Sequence, residues 1–193
     1  TISWMFPRHE DRYDRYLTFR GVSSAELDQW KAAITLFMRK LTLRYQRPLL
    51  MKSPSHTAKV KILLDLFPDA RFIHIHRNPF TVYQSTIKLY NTAVRGSYLQ
   101  EPVAGSVESG IVRRYREMYD AYFEDKTLIP ADRLVEIGFS DLDKDKLGTL
   151  RSIYEHLGLA GFDQALPAFQ AYLNRTQDYQ KNKYQPMPDE QRK

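Results

Sequence analysis

Two short apolar runs, residues 48–51 and 71–76, flank one helix-length segment, and each runs directly into a cluster of basic and hydroxyl residues. No other feature constrains the fold as strongly. The first run reads as a strand leading into Lys52, Ser53, Pro54, Ser55 and His56. Ala58, Ile62, Leu63 and Leu66 then fall on one side of a helix that stops near Phe67, Pro68 and Asp69. The second run, with Phe72, Ile73 and Ile75, reads as another strand, after which Asn78 offers an N-cap and Pro79 a first-turn proline. Strands joined through a helix of this length are parallel, with a right-handed crossover and helices covering the sheet. The expected class is α/β.

The rest of the chain extends this pattern. Ser23 and Glu26 have capping-box spacing, and Leu27, Trp30, Ile34, Phe37 and Leu41 repeat at helical intervals, which predicts a helix ending before Pro48. Residues 96–105 read as a loop, and Val107, Ile111, Tyr115, Met118 and Tyr122 mark the next amphipathic helix. Residues 134–139 predict a third strand. Leu147, Leu150, Tyr154 and Leu157 form a helix that Gly158 can end, and Ala165, Phe169 and Tyr172 mark one more. At 193 residues and 42% hydrophobic content the chain suits a single domain over residues 1–193. Residues 1–22 show no clean period and read as an irregular or lid segment, and residues 186–193, which carry Pro186 and Pro188, read as a tail.

No stretch of about 18 consecutive apolar residues is present, so no membrane span is expected. The absence of cysteine excludes disulfides, cysteine-ligated zinc and thiolate nucleophiles, and it fits a cytoplasmic setting. The net charge of +6 is unevenly placed. Between Gln29 and Gln100 twelve Lys and Arg face two acids, Asp65 and Asp69, so that segment carries +10 and the remainder −4. An anionic partner is expected there, and a phosphorylated small molecule, nucleic acid or an acidic membrane would each satisfy the charge.

In a parallel α/β sheet, ligands bind beyond the carboxyl ends of the strands. Two such junctions here are polar. One holds Lys52, Ser53, Ser55 and His56; the other holds His76, Arg77 and Asn78, with Ser85 in the following helix. Asn78, Val82 and Ser85 share a face of that helix, so Ser85 looks back toward the loop beside Arg77. A dianionic phosphate suits that spot, through Arg77, the Ser85 hydroxyl and the positive end of the helix dipole. His74 and His76 alternate on their strand, but no Asp, Glu or Cys accompanies them at ligand spacing, which disfavours a metal pair.

Residues 50–89, LMKSPSHTAKVKILLDLFPDARFIHIHRNPFTVYQSTIKL, resemble the central signature of the sulfotransferases that use 3'-phosphoadenosine 5'-phosphosulfate (PAPS). The resemblance lies in K-S-P-x-H, then F-P-D-A-R, then H-R-x-P followed by a serine. It implies a P-loop-NTPase-like sulfotransferase fold, a parallel sheet flanked by helices. It further implies that Arg77 and Ser85 hold the 3'-phosphate of PAPS, or of its product PAP, and that Lys52 and His56 form the reaction centre, with Lys52 also touching the cofactor. Lys181 and Lys183 would close over the 3'-phosphate; an ordinary solvated tail explains them equally well. Residues 134–159 also resemble the family, but where it often has Tyr-Glu-Asp-Leu this chain has Phe139, Ser140, Asp141 and Leu142. The glycine-, serine- and threonine-containing loop that cradles the 5'-phosphosulfate in that family does not occur in this sequence, so the fold is expected to be incomplete at the N-terminus.

The implied function is transfer of a sulfuryl group from PAPS to a hydroxyl or amine of a small-molecule, glycan or peptide acceptor, with no metal. A P-loop-related nucleotide phosphotransferase is the first alternative, although the sequence shows neither its Gly-Lys-Ser/Thr loop nor acidic magnesium ligands. A non-enzymatic module for polyanions is the second. No nucleic-acid partner is expected, and the sequence leaves the acceptor and the oligomeric state open.

Overall fold

The structure, a computed structural model, describes residues 2–182 and 184. Lys183 and the tail over residues 186–193 lie outside the described residues. The helices and strands in chain order are α1 (Ile2–Met5), α2 (Asp11–Asp14), α3 (Ser24–Tyr45), α4 (Val60–Leu66), β1 (Phe72–His76), α5 (Pro79–Leu89), α6 (Ser106–Asp125), β2 (Leu134–Gly138), α7 (Phe139–Lys144), α8 (Lys146–His156) and α9 (Phe162–Arg175). They divide into two compact units, Thr1–Ala70 with Leu89–Ile129, and Arg71–Lys88 with Pro130–Lys193.

In the first unit α3 begins as its sequence dictates. The Ser23 hydroxyl accepts from the Glu26 backbone N–H, the Glu26 carboxylate accepts from the Ser23 N–H, and both halves of the capping box are made. At its other end Gln46 takes a left-handed conformation, φ 49°, before Pro48. The apolar stripe of α3 contributes no buried residue. The core lies elsewhere, among Ala58, Val60, Leu63, Tyr90, Val94, Ile111, Ala121, Tyr122 and Ile129, where α6 packs over the turn preceding α4. Each of these larger apolar side chains contributes about 1.5–3 kcal/mol by leaving water. Residues 2–22 form short turns secured to α6 by charge: Arg114 donates to Glu10 at 2.7 Å and Arg113 to Asp14 at 2.6 Å. A Cβ at Gly110 would lie 2.9 Å from Glu10 Oε2 and 3.0 Å from Arg114 Nη2, so that ion pair depends on a bare α-carbon in α6.

The second unit holds the sheet, two parallel strands pairing Phe72 with Leu134 through His76 with Gly138. Val135 and Ile137 share one face of β2 and pack on Leu150 and Ile153 of α8 and on Leu157 just beyond its end. Gly158, φ 58°, ends α8, with the Leu159 N–H reaching back to the Tyr154 carbonyl at 2.8 Å. α9 then docks through Phe162 and Phe169 against Tyr154.

The α/β class and the parallel pairing agree with the sequence reading. The expected strand over residues 48–51 is a correction. Those residues pair with no strand among the described residues, and the sheet has two strands. A strand is defined by its ladder; Pro48 has no N–H to give, and Leu50 is 87% exposed.

Candidate functional site

In the first unit the polar junction opens onto a cleft of about 1050 Å³. Trp30, Ile34, Phe37 and Leu41 of α3 line one side of it, and Lys52, Ser53, Ser55, His56 and Lys59 bring polar groups to it. The apolar stripe that predicted the helix therefore lines a cleft. Pro54 opens a 3-10 turn over Pro54–Lys59, where the missing proline N–H costs nothing, and His56 sits in its first turn with its backbone N–H on the Ser53 carbonyl at 3.1 Å. Lys52 is exposed, and His56 is half-buried. Burial first, and then the charge of Lys59, push the His56 imidazole below its ordinary value, which favours the neutral, proton-accepting ring. The sequence reading missed Lys59. Its signal was a lysine set between two core positions, Ala58 and Val60.

In the second unit the strand register builds the other junction. Because His76 lies opposite Gly138, the next residues, Arg77 and Phe139, emerge side by side at the carboxyl end of the sheet. The Arg77 guanidinium lies 4.6 Å from the Phe139 ring centroid, and Lys181 Nζ lies 5.7 Å from the same ring. Lys181 also pairs with Asp143, holding that carboxyl below the usual carboxylate range, with Lys146 assisting. Asn78 caps α5 as expected, its Oδ1 accepting from the N–H groups of Phe80 at 3.0 Å and Thr81 at 3.2 Å. Those two N–H groups are thereby engaged, so an anion here depends on side chains more than on the helix end. Ser85 is half-buried in the second turn of α5. The Arg77 guanidinium and the Lys181 ammonium, both against the Phe139 ring, make a donor pair that fits an oxyanion.

Lys52 and His56 thus belong to the first unit, and Arg77, Ser85 and Lys181 to the second. Lys183 lies outside the described residues. Phe139, which stands where the resembling family often has tyrosine, is a platform for two cations. His74 and His76 stack at 6.2 Å, and no group of three or more potential metal ligands occurs among the described residues. No helix among them is long and apolar enough to cross a membrane.

A family profile described as "Sulfotransferase family" matches residues 3–164. Two curated relatives, from Mycobacterium bovis and Mycobacterium tuberculosis, are each described as an omega-hydroxy-beta-dihydromenaquinone-9 sulfotransferase. Each is 36% identical over 180 residues, 93% of this chain and 46% of the relative. The chain spans about half the length of the curated relatives it matches. No solved structure matches it significantly.

Proposed function

We propose, because this chain belongs to the sulfotransferase family, that it serves transfer of a sulfuryl group from PAPS to an acceptor hydroxyl or amine, leaving PAP. The observation that carries this reading is one cleft shared by a half-buried histidine held toward neutrality and an exposed lysine. Bound PAPS would supply a sulfuryl group on a phosphate leaving group. His56 takes the acceptor's proton on a ring nitrogen as the acceptor oxygen bonds to sulfur. Lys52 stabilises the negative charge that gathers on the bridging oxygen as its bond to sulfur breaks. Arg77 and Ser85 hold the 3'-phosphate, and Lys181 adds a second cation there once it leaves Asp143.

The acceptor is a small molecule. The aromatic and aliphatic wall formed by Trp30, Ile34, Phe37 and Leu41 favours an alcohol with an apolar body, which agrees with the omega-hydroxy-beta-dihydromenaquinone-9 named for the mycobacterial relatives. The reading places the reaction in the cytoplasm and gives the protein no nucleic-acid partner. The test is transfer of labelled sulfate from PAPS to a hydroxylated apolar acceptor by the full-length protein. His56→Ala should lower the rate by about 10²- to 10⁴-fold at nearly unchanged PAP affinity, and Lys52→Ala should also depress it. A folded His56→Ala protein that binds PAP and turns over at the parent rate removes the base assignment.

A further inference from the structure

Lys59 has a place in the first unit that the transfer scheme does not use. It is 4% exposed, and its Nζ donates to the Leu17 carbonyl at 2.7 Å and the Ser55 carbonyl at 3.1 Å. It also lies 5.6 Å from the centroid of the Phe19 ring. Glu26 is the one carboxylate among the described residues lining the cleft, and Arg15, Tyr16 and Ser23 engage it. Among the described residues no carboxylate pairs with Lys59. A buried ammonium held by carbonyls alone is costly and calls for an explanation. Beside it, Phe19 takes φ 58°, a left-handed conformation that bulky residues rarely adopt, and packs on Tyr16 and Trp30 with centroids 5.6 and 5.1 Å apart. The strained residue and the uncompensated cation meet on the turn that carries His56.

We propose that Lys59 is a positioning residue for His56: its ammonium fastens the Ser55 carbonyl, and with it the histidine's turn, to residues 17–19, and its charge disfavours a second cation on the neighbouring imidazole. The catalytic half of this proposal rests on reading His56 as the base. The geometry has two separable parts. The tie needs hydrogen-bond donors, and the electrostatic hold needs a positive charge. Besides Lys59, the titratable groups lining the cleft are Tyr16, Glu26, Lys52 and His56; burial lowers the imidazole first, and the charge of Lys59 adds to that effect.

The experiment uses three variants of the full-length protein. Lys59→Met removes donors and charge, Lys59→Gln keeps donors and removes charge, and Lys59→Arg keeps both. The His56 ring is titrated by NMR, a readout independent of turnover. Its midpoint should move up in the Met and Gln variants, stay below the ordinary histidine value because burial remains, and hold its parent position in the Arg variant. The rate should fall about 10- to 100-fold in Lys59→Met, more deeply at acid pH, with PAP affinity unchanged. An unmoved His56 midpoint in folded Lys59→Gln overturns the electrostatic hold, and a parent rate in folded Lys59→Met overturns the tie. Should Lys59→Met not fold, Lys59→Gln carries the midpoint, and its acid-side rate loss decides the catalytic effect. Failure of the base reading is distinct: His56→Ala at the parent rate removes the catalytic half, while a midpoint that responds to Lys59→Gln leaves the coupling standing.

Discussion

Arg77 leaves β1 level with Phe139 leaving β2, so a guanidinium that would otherwise sweep through water rests on an aromatic face. That restraint lowers the entropy lost when the guanidinium grips an anion. On the proposed reading, Arg77→Ala weakens PAP binding by about 1.5–3 kcal/mol, Ser85→Ala by less, and adenosine 5'-phosphosulfate, which lacks the 3'-phosphate, is indifferent to both. Phe139→Leu keeps the charge and removes the platform, so it should cost PAP about 0.5–1 kcal/mol. Calorimetric titration of the four proteins with both nucleotides checks this. Equal losses for the two ligands in Arg77→Ala would dismiss the 3'-phosphate assignment.

At the scale of elements, α3 separates the origin of a helix from its use. Its start is local: the reciprocal bonds of Ser23 and Glu26 satisfy N–H groups that the first turn leaves free, and Tyr16 and Arg15 add to the hold on Glu26. Ser23→Ala should therefore cost about 0.5–2 kcal/mol in urea unfolding. Its apolar face lines the cleft and buries little, with Phe37 57% exposed, whereas Leu63 in α4 is 4% exposed. Leu63→Ala should cost about 2–5 kcal/mol and Phe37→Ala much less. Phe37→Ala should instead raise KM for an apolar acceptor. A Phe37→Ala protein as destabilised as Leu63→Ala, with an unchanged KM, would return the α3 stripe to the core.

For the whole molecule the titratable groups shifted by burial or by hydrogen bonds set a pH dependence whose sign follows from which state binds more protons. Burial lowers Lys59 to about 8 from an ordinary 10.5, so between these values the unfolded chain holds a proton that the folded chain has lost, and stability rises with pH. Tyr119 is pushed up to about 12 from 10.0, chiefly by burial; above pH 10 it reverses the trend. On the acid side His56 withdraws stability as pH falls below 6.5, and Glu26, held at about 2 by Tyr16, Ser23 and Arg15, withdraws it as pH falls from 4.5 through 2. Urea midpoints should therefore climb from pH 8 toward 10, and Lys59→Met should flatten that climb. A flat parent profile over that interval contradicts the buried charge.

Local chemistry made much of this legible in the sequence. The capping box of α3, the Asn78 cap with Pro79 behind it and the Gly158 stop all follow from interactions within a few residues, which the order of side chains alone dictates, and the apolar runs of β1 and β2 were legible as strands although their ladder joins distant residues. The junction motifs named Lys52, His56, Arg77 and Ser85 and pointed to the family. Tertiary structure decided what depends on partners distant in sequence. Residues 48–51 are extended in pattern but pair with no strand among the described residues; the α3 stripe has helical period but lines a cleft. The parallel register joins Arg77 to Phe139 across 62 positions of chain, the difference of their numbers. Lys59 looks like any surface lysine until the Leu17 carbonyl, 42 residues away, comes within 2.7 Å of it. A periodic pattern records which side chains share a face, whereas burial and hydrogen-bond partners are set by which surface that face meets.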